Sequence, residues 1–190
     1  MKRKELEKIY KYEQLSNSMI INIQLDNYRD AYNDWDFSPF INRDLDVDLI
    51  DYLIACSEEI PFKYNLIINF YILDIEQDKI REGKSIIGMN NYFKYQLRQL
   101  RNKQLKIIRD ILTYLLIGLL LLLISYSINK NLSDSMFLTL LAEGFSIGGW
   151  VMFWEMFESW FFERNDIRRI YKQYSRLERA KIVYSYKKEK

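Results

Sequence analysis

The most constraining feature of the sequence is an uncharged stretch of eighteen residues, 111–128, which reads ILTYLLIGLLLLLISYSI. At 1.5 Å per residue a helix of this length covers about 27 Å, close to the ~30 Å hydrocarbon core of a bilayer. The rest of a 190-residue chain has too few apolar elements to surround such a helix in a soluble core. More than a hundred residues precede it, so it does not read as a cleaved signal peptide. We therefore expect residues 111–128 to form a transmembrane helix.

A second apolar stretch, residues 136–162, follows a short link over residues 129–135. Two such stretches with so short a link predict an antiparallel transmembrane hairpin. Basic residues crowd both outer flanks, and the link holds a single Lys, so the positive-inside rule predicts cytoplasmic termini and a location in the cell membrane. We expect anionic lipid headgroups to contact five of these basic residues: Arg98, Arg101, Arg164, Arg168 and Arg169. The inner interface should hold a belt that contains Trp150, Trp154, Glu155, Glu158 and Trp160.

Composition excludes most enzyme classes. The chain has no His, which is the commonest general base and metal ligand, and only one Cys. It also lacks a phosphate-binding glycine loop and a recognisable nucleophile motif. We therefore expect no enzymatic activity, cofactor or metal.

The charges are unevenly distributed. Residues 1–93 carry 11 Lys/Arg and 17 Asp/Glu, whereas residues 94–190 carry 17 and 9. Because the basic half also contains the apolar stretches, we expect it to meet anionic lipid rather than nucleic acid. In the acidic half, Asp44, Asp46, Asp48 and Asp51 resemble a calcium loop, but the required glycine is missing and Ala55 replaces the bidentate glutamate. Helix capping explains these aspartates better, and Cys56 is expected to be a packed residue in a reducing compartment.

Residues 1–78 are predicted to form a cytosolic α/β domain. Residues 1–14 read as a charged helix, 19–25 and 64–73 as strands, and 48–59 as a helix capped by Asp46 or Asp48. A strand, a helix and a strand predict a right-handed parallel βαβ unit. Residues 180–187 are expected to add a third strand, so that both termini build the sheet; a disordered C-terminal tail is the alternative.

Residues 79–110 are predicted to form an amphipathic stalk helix that runs into the first membrane helix, and residues 163–190 an exit helix followed by the C-terminal strand. Apolar residues recur on the stalk at three- and four-residue steps, from Ile86 through Met89 and Phe93 to Ile107. This stripe needs a partner, either the exit helix or a neighbouring subunit. The expected fold is thus an α+β membrane protein: a transmembrane helical hairpin, a long stalk and a small three-stranded cytosolic domain.

Glu143 is the sharpest candidate functional residue, because a lone carboxylate within the hydrocarbon costs about 2.5–3.5 kcal/mol. The first helix offers no cation near that depth, only the hydroxyl groups of Ser125 and Tyr126. Either Glu143 faces water inside an assembly, or it is neutral and hydrogen-bonded at a helix contact. Close packing of the two helices is expected at the small residues Gly118, Gly144 and Gly148.

A loop between the first strand and the following helix mixes aromatic, acidic and basic side chains. Such a mixture is typical of a recognition surface for a cytosolic protein or a small-molecule signal. The loop's aromatic side chains could instead cover the open face of the small sheet. The residues assigned to partner binding are Arg29, Asp34, Trp35, Asp36 and Phe37.

The second apolar stretch reads close to E-G-x-x-I-x-G-W-V-x-x-W-E. Together with the preceding Asp/Phe/Pro loop and hairpin, this order of features resembles an uncharacterised family of small prokaryotic two-span membrane proteins with a cytosolic α/β domain. The resemblance covers most of the chain and implies the topology, but it implies no activity. The positions that carry it are Glu143, Gly144, Ile147, Gly149, Trp150, Val151, Trp154 and Glu155.

The sequence therefore favours a homo-oligomeric integral membrane protein. In the leading hypothesis it is a pore-forming or membrane-perturbing effector controlled by its cytosolic domain. In the alternative it is a membrane-tethered scaffold or adaptor that holds a cytosolic partner and has no transport activity.

Overall fold

The computed structural model describes residues 3–73, 77–131 and 135–187. Two compact units emerge from it. The sheet unit comprises the described residues up to Arg98 and those from Tyr171 onward, and the hairpin unit is Gln99–Ile170. The protein is an α+β chain with two long apolar helices and one small mixed sheet.

The sheet has four strands in the order β1-β2-β3-β4. These are β1 (Lys11–Glu13), β2 (Ser18–Leu25), β3 (Asn65–Leu73) and β4 (Lys181–Lys187). β2, β3 and β4 run parallel, whereas β1 pairs with β2 in the antiparallel sense. The C-terminal residues therefore form a sheet strand beside β3, as predicted, and not a disordered tail.

The prediction of three strands is wrong, because the sheet has four. The additional strand is β1, which lies in the segment over residues 1–14 that the sequence indicated as a helix. In the described part of that segment only Arg3–Leu6 (α1) is helical. Contacts made by two tyrosines favour a strand here instead. The Tyr10 hydroxyl donates to Glu59 at 2.7 Å, and the Tyr12 ring packs edge-on against the Tyr64 ring, with the ring centres 5.9 Å apart. Asn17, at a φ of 49°, then turns the chain back into β2.

The helix α2 (Val47–Glu59) connects β2 to β3, so the predicted helix between two parallel strands is present. Its cap is Asp46, whose Oδ1 accepts from the backbone N–H of Asp48 at 3.0 Å and of Leu49 at 3.1 Å. These bonds satisfy donors that the first turn of a helix leaves free. Cys56 lies buried in α2, as expected for a packed residue.

The hydrophobic core lies on one face of the sheet. Ile21 on β2, Ile68 on β3 and Ile182 on β4 are aligned across the three parallel strands and are at most 8% exposed. The apolar side chains that the helices bury join this cluster, among them Leu53 of α2. Removing a side chain of this size from water contributes about 1.5–3 kcal/mol. The sheet and its helices therefore form two layers.

The other face of the sheet is polar at its centre. The side-chain N–H of Asn69 on β3 donates to Oδ1 of Asn22 on β2 at 3.0 Å, and the hydroxyl of Ser185 on β4 donates to Oδ1 of Asn69 at 2.9 Å. Asn69 is only 6% exposed, so these bonds satisfy a buried amide.

Helices α3 (Lys79–Asn131) and α5 (Arg164–Glu178) both contribute to the sheet unit. Met89 and Phe93 of α3 are buried in its core, and the Phe93 ring lies 6.4 Å from that of Tyr174 on α5. The apolar stripe at the start of α3 thus packs on the sheet and the exit helix of its own chain. The structure therefore differs from the prediction of a separate stalk over residues 79–110, because residues 79–98 belong to the sheet unit.

Arg176 on α5 holds the end of α2 and the start of β3 together. Its guanidinium donates to four backbone carbonyls: Ser57 at 2.6 Å, Ile60 at 2.5 Å, Pro61 at 3.0 Å and Tyr64 at 2.9 Å. A cation at the C-terminal end of a helix also opposes the negative end of the helix dipole. One side chain therefore satisfies carbonyls that α2 and the turn leave unpaired.

We predict that Arg176→Ala lowers the free energy of unfolding of the sheet unit by about 2–4 kcal/mol, because partly buried carbonyls lose a charged donor. Chemical unfolding of the full chain in detergent, followed by near-ultraviolet circular dichroism, measures the change. Arg179→Ala is the matched control, since Arg179 is exposed and lies three residues away. Equal losses in the two variants would contradict this account of Arg176.

Candidate functional site

The hairpin unit contains the second part of α3 and α4 (Met136–Glu158). Both helices are long and apolar enough to cross a membrane. Their most apolar eighteen-residue windows are only 17% and 11% buried, whereas the core helix of a soluble protein is mostly buried. The last three link residues before Ser135 lie outside the described residues, and α3 runs to Asn131, beyond the predicted end at 128.

The two helices are antiparallel and approach closely at a pair of glycines. A Cβ atom on Gly118 would lie 3.2 Å from the carbonyl oxygen of Gly149, and one on Gly149 would lie 2.8 Å from Cγ of Leu122. Farther along, the buried hydroxyl of Ser125 donates to the carbonyl of Ala142 at 2.8 Å. The contact is thus made by backbone approach and one interhelical hydrogen bond.

The close approach uses a different glycine from the one predicted. A Cβ atom on Gly144 would meet nothing within 4 Å, and one on Gly148 would meet only Leu121, at an ordinary 3.5 Å. Gly118 lies at the contact as expected, but its partner is Gly149. Four-residue spacing alone does not say which face of α4 meets α3, so the sequence could not distinguish the adjacent glycines.

Glu143 lies on the face of α4 that points away from α3. Its side chain is exposed and makes no hydrogen bond or ion pair within the described part of the chain, although its neighbour Ala142 is fully buried in the helix contact. The same outer face carries Ile147, Trp150 and Trp154, which are 65%, 66% and 73% exposed. Glu143 is therefore not held between the two helices of one chain. Tyr126, its predicted neighbour, is 64% exposed on α3.

The predicted inner belt extends from the second half of α4 into the turn that follows it. A π-helical turn, Ser159–Glu163, joins α4 to α5. Glu155 and Glu158 are exposed, and neither forms an ion pair with a described arginine. The guanidinium of Arg164 instead lies 4.7 Å from the centre of the Trp160 ring, in cation–π geometry.

The remaining arginines assigned to lipid headgroups differ in location. Arg168 and Arg169 on α5 are exposed, as are Arg98 and Arg101 on α3. Arg98 is the last residue of the first segment of the sheet unit, whereas Arg101 belongs to the hairpin unit.

The loop predicted to bind a partner is closed by the carboxylate of Asp36. One oxygen accepts from the backbone N–H of Ser38 at 2.9 Å and the other from that of Asp44 at 2.7 Å. The hydrogen bond from the Ser38 side chain and these backbone bonds, with a smaller contribution from Arg43, lower the pKa of Asp36. Asp36 therefore fixes the shape of the loop.

The closed loop presents two aromatic side chains to solvent. Trp35 is 96% exposed and Phe37 is 100% exposed, so neither covers the sheet. Arg29 and Asp34 are also exposed. Aromatic residues of this region that do join the packed interior include Tyr28 and Tyr32, each at 2% exposure. Of the two explanations for the loop, covering the sheet does not apply to Trp35 and Phe37.

The loop is fixed against α3 at a glycine. A Cβ atom on Gly88 would lie 3.0 Å from both the carbonyl oxygen of Phe40 and the hydroxyl of Tyr32. One turn farther along, the side-chain N–H of Asn91 donates to the carbonyl of Ile41 at 3.1 Å. This contact was not predicted from the sequence, although Gly88, a glycine in the interior of a helical segment, was an available signal.

Hydrogen bonds between buried hydroxyl groups connect β4 to α3. Ser85 of α3 accepts from the Tyr184 hydroxyl at 2.7 Å and contacts the Tyr32 hydroxyl at 2.9 Å. Burial raises the pKa of Tyr184 and of Tyr32, so both phenols stay neutral at physiological pH. Among the described residues no group of three or more His, Cys, Asp or Glu could hold a metal ion.

No protein-family model matches the chain, and no curated protein or solved structure is significantly similar to it. The resemblance to a family of small prokaryotic membrane proteins therefore stays a prediction.

We predict that Gly149→Leu destabilises the hairpin by about 1–3 kcal/mol, because the new side chain collides with Leu122 and the backbone at Gly118. Thermal unfolding in detergent provides the measurement. Gly144→Leu adds the same side chain to the same helix in open space and should leave the midpoint nearly unchanged. A larger loss in Gly144→Leu than in Gly149→Leu would show that Gly144 makes the tighter contact.

Proposed function

We propose that the protein is a homo-oligomeric integral membrane protein, a pore-forming or membrane-perturbing effector controlled by its sheet unit. The observation that carries this proposal is the position of Glu143, exposed on the face of α4 opposite the helix contact. Within the described residues the hairpin of one chain gives this carboxylate no partner, and in this proposal a second copy or enclosed water supplies one.

Integration into a bilayer is supported by what the hairpin leaves exposed. Large apolar side chains of α3, such as Leu116 and Leu123, are more than 60% exposed, and Met136 and Phe137 at the start of α4 more than 70%. A monomeric soluble protein rarely exposes a continuous apolar surface of this extent. The basic flanks, which include Arg101 and the exit-helix arginines, favour cytoplasmic termini and contact with anionic lipid headgroups.

The outer face of α4 has the spacing of a helix-packing seam. Its exposed residues recur at alternating steps of four and three, which is the 3.5-residue period by which helices pack side by side. A carboxylate that faced acyl chains on this seam would cost about 2.5–3.5 kcal/mol. If copies of the chain instead pack around an axis, Glu143 faces a shared interior. Because each subunit contributes only two helices, several subunits are needed to enclose that interior. The seam residues are Glu143, Ile147, Trp150, Trp154 and Phe157.

The mass of the purified protein in a lipid nanodisc tests this proposal first. We predict a closed ring of four or more subunits, and a monomer or dimer would exclude a pore.

In planar bilayers Glu143→Gln should then change the cation conductance severalfold, since it removes the charge while keeping the shape. Glu155→Gln is the control, because Glu155 is an exposed carboxylate of α4 that lies off the seam. Conductance that responds equally to both variants would exclude Glu143 as the residue lining the pore.

A membrane-tethered adaptor is the second candidate, and the exposed pair Trp35 and Phe37 favours it. Aromatic residues are enriched at protein interfaces and dominate their binding energy. The Asp36 hydrogen bonds hold this pair on a closed loop, so little ordering is required when a partner binds.

For the adaptor we predict that Trp35→Ala with Phe37→Ala abolishes binding of a cytosolic partner and leaves the subunit count and thermal stability unchanged. Affinity purification from the native host, compared with Leu15→Ala, measures the effect. Leu15 is a fully exposed apolar residue of the sheet unit outside the loop. A partner that is retained by the double variant, or lost equally from the control, would exclude the loop as its binding site.

A further inference from the structure

We propose that a cleft in the sheet unit binds a phosphate ester that also carries hydroxyl or amino groups. The cleft has a volume of about 970 Å³ and lies between the loop over residues 36–44 and the α3 segment over residues 91–98. Its volume falls within the range of about 300–1,000 Å³ that small-molecule sites occupy. All of its lining residues belong to the sheet unit, so the site is complete within that unit.

Three cations line the cleft and give it an affinity for phosphate. Arg43 comes from the loop, and Lys94 and Arg98 come from α3. None of the three forms a salt bridge with a described carboxylate. Guanidinium and ammonium groups bind phosphate oxygens through strong charge-assisted hydrogen bonds.

The spacing of the two helix cations favours an anion as the ligand. Lys94 and Arg98 are four residues apart and therefore lie on the same face of α3. Like charges at this spacing destabilise a helix. A bound phosphate would neutralise this repulsion and bring Arg43 to the same group from the opposite wall.

The walls of the cleft are already ordered. The Asp36 carboxylate closes the loop, the Nε–H of Arg43 donates to the carbonyl of Ser38 at 3.3 Å, and Asn91 ties the loop to α3. A site that is held in place before binding loses little conformational entropy when the ligand arrives. The cleft is thus prepared for a ligand and need not be created by one.

The remaining lining residues narrow the class of ligand. Asp36 and Asp44 also line the cleft, and two carboxylates disfavour a group that offers only negative charge. They favour a ligand whose phosphate is accompanied by hydrogen-bond donors. The rings of Tyr92 and Tyr95 supply broad surfaces for its uncharged part. Soluble nucleotides and sugar phosphates have this chemistry, and so does a phospholipid headgroup such as phosphatidylglycerol.

Binding at this cleft does not require the hairpin to form a pore, so it can be tested independently. The experiment uses the full chain in phosphatidylcholine nanodiscs and follows its thermal unfolding. One arm adds ADP or glycerol 3-phosphate, and the other replaces part of the phosphatidylcholine by phosphatidylglycerol. A ligand that binds only the folded state raises the unfolding temperature.

We expect a rise in the unfolding temperature in one arm, and that arm identifies the source of the phosphate ester. Arg98→Gln and Arg43→Gln should each weaken binding by about tenfold or more, which corresponds to the loss of one charged hydrogen bond. Lys84→Gln should stay within twofold of the natural chain, since Lys84 is an exposed cation of the sheet unit on the same helix that does not line the cleft. Lys94→Gln serves as a third variant if either arginine variant fails to fold.

Two results would overturn the proposal. In the first, neither arm stabilises the protein. In the second, Lys84→Gln lowers the response as much as Arg98→Gln, which would indicate general attraction between a basic helix and anions rather than a defined site.

Discussion

The parallel pairing of β4 with β3 is the interaction on which the rest of the structure depends. Seven residue pairs join the two strands, and they bring together segments on either side of both apolar helices. Arg176 reinforces this closure, since it connects α5, immediately before β4, to the residues immediately before β3. Without β4 the core would lose Ile182, and β3 would become an exposed edge.

The parts of the fold that could be predicted from the sequence are those in which local pattern and tertiary environment agree. The β-branched run over residues 64–73 forms a strand, and Asp46 caps a helix because its side chain reaches donors two and three residues away. β1 could not be predicted, because charged residues around it favour a helix locally. Its place in the sheet depends on Tyr10 reaching Glu59, a contact between residues 49 positions apart.

The same distinction applies to the candidate sites: residues marked by local pattern could be predicted, and residues selected by tertiary contacts could not. Glu143 and the exposed loop could be singled out from the sequence, since a lone carboxylate in an apolar helix and a cluster of aromatic and acidic residues are visible without a structure. Gly149 could not, because the neighbouring Gly148 is equally small and only the packing against α3 distinguishes the two. The cleft joins Arg43 to Lys94, and that proximity depends on the loop packing against Gly88.

The position of β4 in the chain has a consequence for biogenesis. β3 ends at Leu73 and β4 begins only at Lys181, so the ribosome has to make α3, α4 and α5 before the sheet can close. At about 5–20 residues per second this interval lasts roughly 5–20 seconds. Throughout that time one side of β3 has no neighbouring strand, and the nascent chain is vulnerable to edge-to-edge aggregation. The sheet unit can therefore complete its folding only after both apolar helices have been synthesised.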